Sequence, residues 1–150
     1  LVRRFAPHAA GSGIPNLRSI LRREAEPEWK RLLPVKFLAG VASIGGGLAL
    51  GREGPTVQMG SATGFMVSDW FKVKAGEGER RALISAGAGA GLSAAFNAPL
   101  SGLIFVLEEL HGNFTPVMFV AAFLASVTGD VVSRLLIGES PVFYLSSRFP

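Results

Sequence analysis

Four long stretches of the chain carry no charged residue, and most of them are too short or too interrupted to cross a membrane as one helix. They cover residues 37–51, 54–68, 82–107 and 110–129. A helix needs about 20 apolar residues to span the hydrocarbon of a bilayer, so only the last stretch resembles a conventional span. The first two have 15 residues each and meet at Gly-Arg-Glu-Gly-Pro, residues 51–55, while Asn-Ala-Pro interrupts the third at residues 97–99. Paired, interrupted segments of this kind predict helices that end inside a membrane at a binding site.

The composition also favours a membrane protein over a soluble domain. Apolar residues make up 49% of the chain and charged residues 17%, against about 25% charged in an ordinary soluble domain. The chain has 19 glycines without a collagen-like period, and it has no cysteine, which excludes disulfides and thiolate metal sites. We therefore expect an all-α polytopic membrane protein with tilted and partial helices. These helices are expected near residues 15–23, 33–50, 55–71, 81–95, 98–110 and 116–137.

Small residues recur three or four positions apart on two of these helices. One row is Gly40, Ser43 and Gly47, and the other is Gly87 and Gly91. Such rows let helix backbones approach closely in lipid, so we expect both to be packing surfaces. A dinucleotide site is not indicated, because the second row lacks a preceding strand and the Gly-x-Gly-x-x-Gly spacing.

Basic residues concentrate in two links, 22–32 and 72–81, which alternating helices would place on the same side of the membrane. The links hold eight of the fifteen basic residues: Arg22, Arg23, Lys30, Arg31, Lys72, Lys74, Arg80 and Arg81. The positive-inside rule then predicts that this side is cytoplasmic, and that Glu108 and Glu109 return to it. Aromatic residues are not interleaved with the basic ones as nucleic-acid binding would require, so no nucleic-acid partner is expected.

Residues 11–15, Gly-Ser-Gly-Ile-Pro, predict a helix start that can bind an anion. Proline presets the first turn, and the free amide donors of that turn carry the positive end of the helix dipole. The same residues would also serve as an ordinary turn and helix cap, and the motif alone does not separate the two interpretations.

Residues 51–55 place a second proline-containing helix start beside two charged side chains in an otherwise apolar region. An ionisable residue at membrane depth is costly and indicates function by default. The alternative is a loop tip in water at which Arg52 and Glu53 pair with each other. A carboxylate at a helix start is stabilised by the amides that would bind a free anion, so Glu53 can compete with a transported anion. Protonation would remove its charge, which makes Glu53 a candidate pH-sensitive gate.

Three ordered motifs resemble the CLC family of chloride channels and proton/chloride antiporters, in its bacterial form. They are residues 11–15, residues 51–60 (Gly-Arg-Glu-Gly-Pro-Thr-Val-Gln-Met-Gly) and residues 86–102, followed by Glu108 and Glu109. The resemblance covers residues 5–110. It implies two inverted halves of partial helices per subunit, a homodimer with one pore in each subunit, and an integral membrane protein of the bacterial inner membrane. Chloride would be bound as a substrate, without a metal or cofactor and without an enzymatic reaction.

The resemblance also assigns roles to individual residues. It implies that the Ser12 hydroxyl contacts the central anion, together with the backbone amides of Gly13 and Ile14. It implies that Glu53 is the gating glutamate. The amides of Arg52, Glu53 and Gly54 would then lie near the outer anion site. Glu109 matches the internal proton-transfer glutamate of antiporters, which many channels replace.

The family's second-half features, a Gly-x-Phe-x-Pro helix start and a late tyrosine, are not found in this sequence. Tyr144 lies in no comparable motif and is given no role. We therefore expect residues 1–150 to form a single membrane-embedded part of a CLC transporter domain, incomplete at both ends. Proton-coupled chloride antiport is the expected function. The alternatives are a passive voltage- or pH-gated chloride channel and a membrane scaffold that transports nothing.

Overall fold

The computed structural model describes residues 2–25, 28–73, 77–111 and 115–138, and within these ranges it contains helices and turns but no strand. This confirms the predicted all-α class. Seven α-helices occur in the described residues: α1 Val2–Phe5, α2 Ile14–Leu21, α3 Trp29–Gly45, α4 Glu53–Trp70, α5 Glu77–Phe96, α6 Pro99–Phe105 and α7 Pro116–Ile137. A 3-10 turn spans Pro7–Ala9, and a π-helical segment, Val106–His111, continues α6. Tyr144 and parts of both basic links, residues 26–27 and 74–76, lie outside the described residues.

Proline sets the start of three helices close to where the sequence predicts them. Pro15, Pro99 and Pro116 occupy the first or second position of α2, α6 and α7. Proline suits this position because its fixed φ matches the helix and the missing N–H has no intrahelical acceptor there. Gly138, with φ +94°, ends α7.

The predicted bounds of α3 are wrong at both ends. The helix begins at Trp29 rather than near residue 33 and continues through Pro34. It ends at Gly45 rather than near residue 50, because Gly46 and Gly47 follow and Gly47 adopts φ +84°. The uncharged stretch 37–51 therefore extends beyond the helix, because the left-handed backbone at Gly47 does not continue α3.

Glycines bring α4 and α5 into backbone contact. A Cβ atom on Gly60 would collide with the carbonyl oxygen of Gly87, and one on Gly91 would collide with that of Thr56. Leu17 and Leu21 of α2 pack below this pair of helices, in a core with Val57, Phe65, Ile84 and Ala88. The predicted packing role of Gly87 and Gly91 is confirmed. The apolar core around Leu17 and Leu21 holds α2 against α4.

The glycines of the other predicted row, Gly40 on α3 and Gly47 just after it, have no packing partner in the described part of the chain. Cβ atoms on Gly40 and Gly47 would meet nothing within 4 Å. The same helix exposes more than half of the side chains of Phe37, Leu38 and Val41. Among the residues that the structure describes, the expectation that this row packs against another helix is therefore not met.

Gly60, which is packed, and Gly40, which is not, give a matched pair of variants. Gly60→Ala should lower the unfolding free energy of the full-length protein by about 1–3 kcal/mol, because two backbones must separate to admit the methyl group. Gly40→Ala should be neutral or stabilise by up to about 1 kcal/mol, since alanine lowers the cost of an exposed helical position. Melting temperatures in detergent compare the two. Equal effects would show that the α4–α5 contact is not tight.

Helix α7 is the one described helix that is long and apolar enough to cross a membrane. It has 22 residues, and its mean hydropathy reaches 1.7 over the best window. This agrees with the prediction that only the last uncharged stretch forms a conventional span. Its far end exposes Leu135, Leu136 and Ile137 almost completely.

Candidate functional site

The two glycine-proline motifs lie against each other. A Cβ atom on Gly54 would lie 2.7 Å from the carbonyl oxygen of Ser12 and 2.9 Å from its Cα. The first turn of α4 therefore rests directly on the turn that precedes α2. Each helix start has amide groups without an intrahelical acceptor and carries the positive end of its dipole. The structure thus brings two anion-attracting helix ends together, although Gly13 and Gly54 are 41 positions apart in the sequence.

Glycine at position 13 is required for two reasons. Gly13 caps α2 in the left-handed region at φ +84°, which side chains disfavour. A Cβ atom there would also lie 2.5 Å from the amide carbon of Gln58. Ile14 then begins the helix, and Ser12 remains exposed in front of it. The Ser12 hydroxyl and the first amides of α2 therefore share one accessible end.

Two polar residues that the sequence analysis did not single out hold this turn in place. The ammonium group of Lys36, 5% exposed, donates hydrogen bonds to the carbonyl oxygens of Ala9 at 2.8 Å and Gly11 at 2.7 Å. The side-chain amide of Gln58, 1% exposed, donates to the carbonyl oxygen of His8 at 2.7 Å. Together they fix the backbone just before Ser12 through carbonyl groups within residues 8–11.

Lys36 carries a buried positive charge next to the candidate anion site. In the described part of the chain no carboxylate pairs with it, so its contacts there are two neutral carbonyl groups. A buried charge without an ionic partner is costly, and a nearby anion would compensate it. The sequence could have indicated Lys36 as a functional candidate, because a lysine within an apolar helix is as costly to bury as Glu53 is.

Glu53 is the first residue of α4, two positions before the predicted helix start. Its carboxylate folds back over Gly51, where a Cβ atom would collide with the carboxylate oxygen Oε2. The Thr56 hydroxyl donates to the carbonyl oxygen of Glu53 at 2.8 Å and secures the first turn. Gly51 therefore leaves room for the Glu53 side chain at the helix start.

Arg52 does not pair with its neighbour Glu53. Its guanidinium donates a 2.7 Å hydrogen bond to the carbonyl oxygen of Ala95, in the last turn of α5. That turn carries the negative end of the α5 dipole. The loop-tip alternative, in which Arg52 and Glu53 neutralise each other, is thus not what the structure shows. Arg52 instead ties the start of α4 to the end of α5.

An open cavity of about 490 Å³ lies beside this helix start. Glu53 and Arg52 line it, with Ile44 near the end of α3, Ala94 of α5 and Ser133 of α7. Glu53 is half-buried at the edge of this cavity. The carboxylate can therefore be reached from one side by water and ions.

Glu109 lies in the π-helical segment Val106–His111, where the sequence analysis expected an ordinary helix. Wider π turns of this kind often occur at functional sites. Its carboxylate forms an ion pair with Arg18 of α2, and a guanidinium N–H of Arg18 lies 3.4 Å from the Glu109 carbonyl oxygen. Glu108 is exposed. Glu109 is thereby joined to α2, which begins at Ile14 just after Ser12, and the structure describes no direct contact between Glu109 and Glu53.

Helix starts that meet within a glycine-packed, apolar bundle are typical of membrane proteins that carry anions across a bilayer. Comparison with known proteins agrees with this class. The family model described as voltage gated chloride channel matches residues 1–150. The chain belongs to this family, the CLC family of integral membrane proteins.

Curated relatives and a solved structure show the same membership. The chain is 49% identical over 144 residues to a protein named H(+)/Cl(-) exchange transporter ClcA from Vibrio cholerae serotype O1, covering 95% of this chain and 31% of the relative. It is 46% identical to the ClcA of Citrobacter koseri, of which it covers 30%. A crystal structure described as a slow cyanobacterial Cl-/H+ antiporter superposes with a TM-score of 0.88 at 39% identity, covering 99% of this chain and 35% of that one. The chain thus spans about a third of the length of these relatives, all named as transporters rather than enzymes.

Proposed function

We propose that the full-length protein exchanges chloride for protons across a membrane. The observation that carries this proposal is the contact between Gly54 and Ser12, because it joins a helix start bearing an exposed hydroxyl to one bearing a carboxylate. The names of the relatives, which describe proton/chloride exchange, support the same function.

Chloride would bind where the two helix ends meet. The Ser12 hydroxyl and the amides of Gly13 and Ile14 would donate to a central anion, and the backbone of Arg52 and Gly54 to an outer one. An anion here would be attracted by two positive helix ends. It would also compensate the buried ammonium of Lys36, which holds the turn before Ser12. No cofactor is needed for this function, since chloride is the substrate.

Glu53 would act as both gate and proton carrier. Ionised, its carboxylate would occupy the positive end of α4 and exclude chloride from the outer position. Protonated, it would lose that attraction and swing into the adjoining cavity, which is large enough to receive it. One side chain would thereby alternate between the place of an anion and the role of a proton donor.

Glu109 would pass protons to and from the cytoplasmic side. It lies in the π-helical segment that continues α6, beside α2, which carries Arg18 and is followed by Arg22 and Arg23. Protons could not follow chloride throughout, because positive helix ends repel them. Separate routes that share Glu53 and diverge towards Glu109 would satisfy both ions.

We further propose a homodimer in a lipid bilayer, the bacterial inner membrane, with residues 1–150 as one part of the transporter domain. The exposed apolar faces of α3 and α7 are suited to lipid or to further protein.

Reconstitution of the full-length protein into liposomes tests the function. An outward chloride gradient should drive protons inward against their own gradient, with fluxes that a protonophore uncouples. Passive chloride efflux without proton movement would instead establish a channel. Efflux no faster than from empty liposomes, with correctly folded protein, would favour the scaffold alternative.

A further inference from the structure

Arg18 connects two parts of the site that the proposed function uses separately. It lies in the second turn of α2, four residues beyond Ile14 and therefore about 6 Å along the helix from its start. Its guanidinium pairs with Glu109 Oε1 and also approaches the Glu109 carbonyl oxygen at 3.4 Å. One side chain on the anion-binding helix thus makes two contacts with the candidate proton-transfer residue, 91 positions away.

An apolar contact holds the two elements in register beside this ion pair. Leu17 and Leu21, which flank Arg18 on α2, are buried in a core against which Phe105 and Leu110 pack. Phe105 ends α6, and Leu110 directly follows Glu109. The Glu109 segment is therefore packed against α2, so the two elements must move together. The ion pair sets the direction in which the Glu109 carboxylate points.

The ion pair is suited to orienting Glu109 rather than to stabilising the fold. The two side chains are 44% and 46% exposed, so water and salt screen their attraction. With Oε1 engaged by Arg18, Oε2 is the oxygen left for proton transfer. The carboxylate would otherwise be free to turn towards solvent, away from any route to Glu53.

We propose that Arg18 is a positioning residue for proton coupling. It holds the Glu109 carboxylate against α2, the helix whose start lies just after Ser12, so that proton transfer at Glu109 is tied to anion binding at the start of that helix. This inference rests on the proposed exchange function and adds to it a residue on which the ratio of protons to chloride depends.

The test measures initial proton uptake and chloride efflux from liposomes containing the full-length protein. Arg18→Gln should lower the proton-to-chloride ratio roughly two- to fivefold, the scale of a partly exposed ion pair, with chloride flux changed less than about twofold. Arg18→Lys, which keeps the charge, should recover most of the ratio. Arg22→Gln is the matched control, because Arg22 lies one turn further along and forms no ion pair in the described residues. It should leave both fluxes unchanged.

A second pair of variants separates positioning from general support of the helix. In a Glu109→Gln background, Arg18→Gln should have no further effect on chloride flux, because its action passes through the carboxylate. An equal fall in chloride flux in both backgrounds would show that Arg18 only stabilises α2, and would overturn the inference. An unchanged ratio in Arg18→Gln would overturn it as well. If the wild type itself moves no protons, the proposed exchange fails first, and that result is visible before any variant is measured.

Discussion

Glu53→Gln is expected to leave chloride flux in the full-length protein but to make it independent of pH and uncoupled from protons. Glutamine keeps the shape that fits over Gly51, yet it has neither a charge nor a titrating proton. A charge in the first turn of a partly buried helix is worth up to about 2 kcal/mol. Removing that competition could raise anion occupancy of the outer position by as much as about 30-fold. Chloride efflux and proton uptake, measured from acid to neutral pH, give both readouts.

Asp69 provides the control on the same helix. It lies at the opposite end of α4, exposed, and accepts a hydrogen bond from the Trp29 indole at 3.3 Å. Asp69→Asn removes the same charge far from the helix start, so pH dependence and proton coupling should both persist. Proton coupling that survives Glu53→Gln would show that another group carries the proton, and the gate assignment would be wrong.

Local signals were enough to predict most helices and the packing face of α5, although not that α4 covers it. Proline favours a helix start through its own ring. The starts of α2, α6 and α7 could therefore be predicted from Pro15, Pro99 and Pro116 without knowing which residues pack nearby. Gly87 and Gly91 share one helix face by spacing alone, which indicated the contact that the structure confirms. Gly40, Ser43 and Gly47 also recur three or four positions apart, yet Cβ atoms on Gly40 and Gly47 would meet no described residue within 4 Å. Spacing shows which face is small; it does not show whether another helix covers that face.

The contacts that organise the site could not be predicted, because they join residues that are distant in sequence. Arg52 donates to Ala95, and Arg18 pairs with Glu109, across 43 and 91 positions. A sequence pattern shows that a charge is costly to bury, but it does not identify the partner. Lys36 could have been flagged by that cost, as Glu53 was. Its contacts with Ala9 and Gly11 depend on how the chain folds back before Ser12.

Glu109→Gln is expected to stop proton movement driven by a chloride gradient while chloride flux continues. In the proposed mechanism positive helix ends line the anion path, so protons would need their own route on the cytoplasmic side. Loss of a positioned proton-transfer group usually costs a factor of about a hundred or more, which would bring proton uptake close to background. Glutamine preserves the size of the side chain and can still accept a hydrogen bond from Arg18. Chloride flux through the Ser12 end of α2 should therefore be retained.

Glu108→Gln is the matched control, because Glu108 is adjacent, exposed and not joined to α2 by any contact that the structure describes. It should change proton uptake much less than Glu109→Gln does. The comparison separates a specific relay from the general loss of a negative charge in the π-helical segment that follows α6. Equal effects of the two variants would indicate that local charge, rather than the position fixed by Arg18, feeds protons to the transporter. Uphill proton uptake that persists in Glu109→Gln would remove Glu109 from the mechanism, and protons would then have to reach Glu53 by a route that does not pass the ion pair with Arg18.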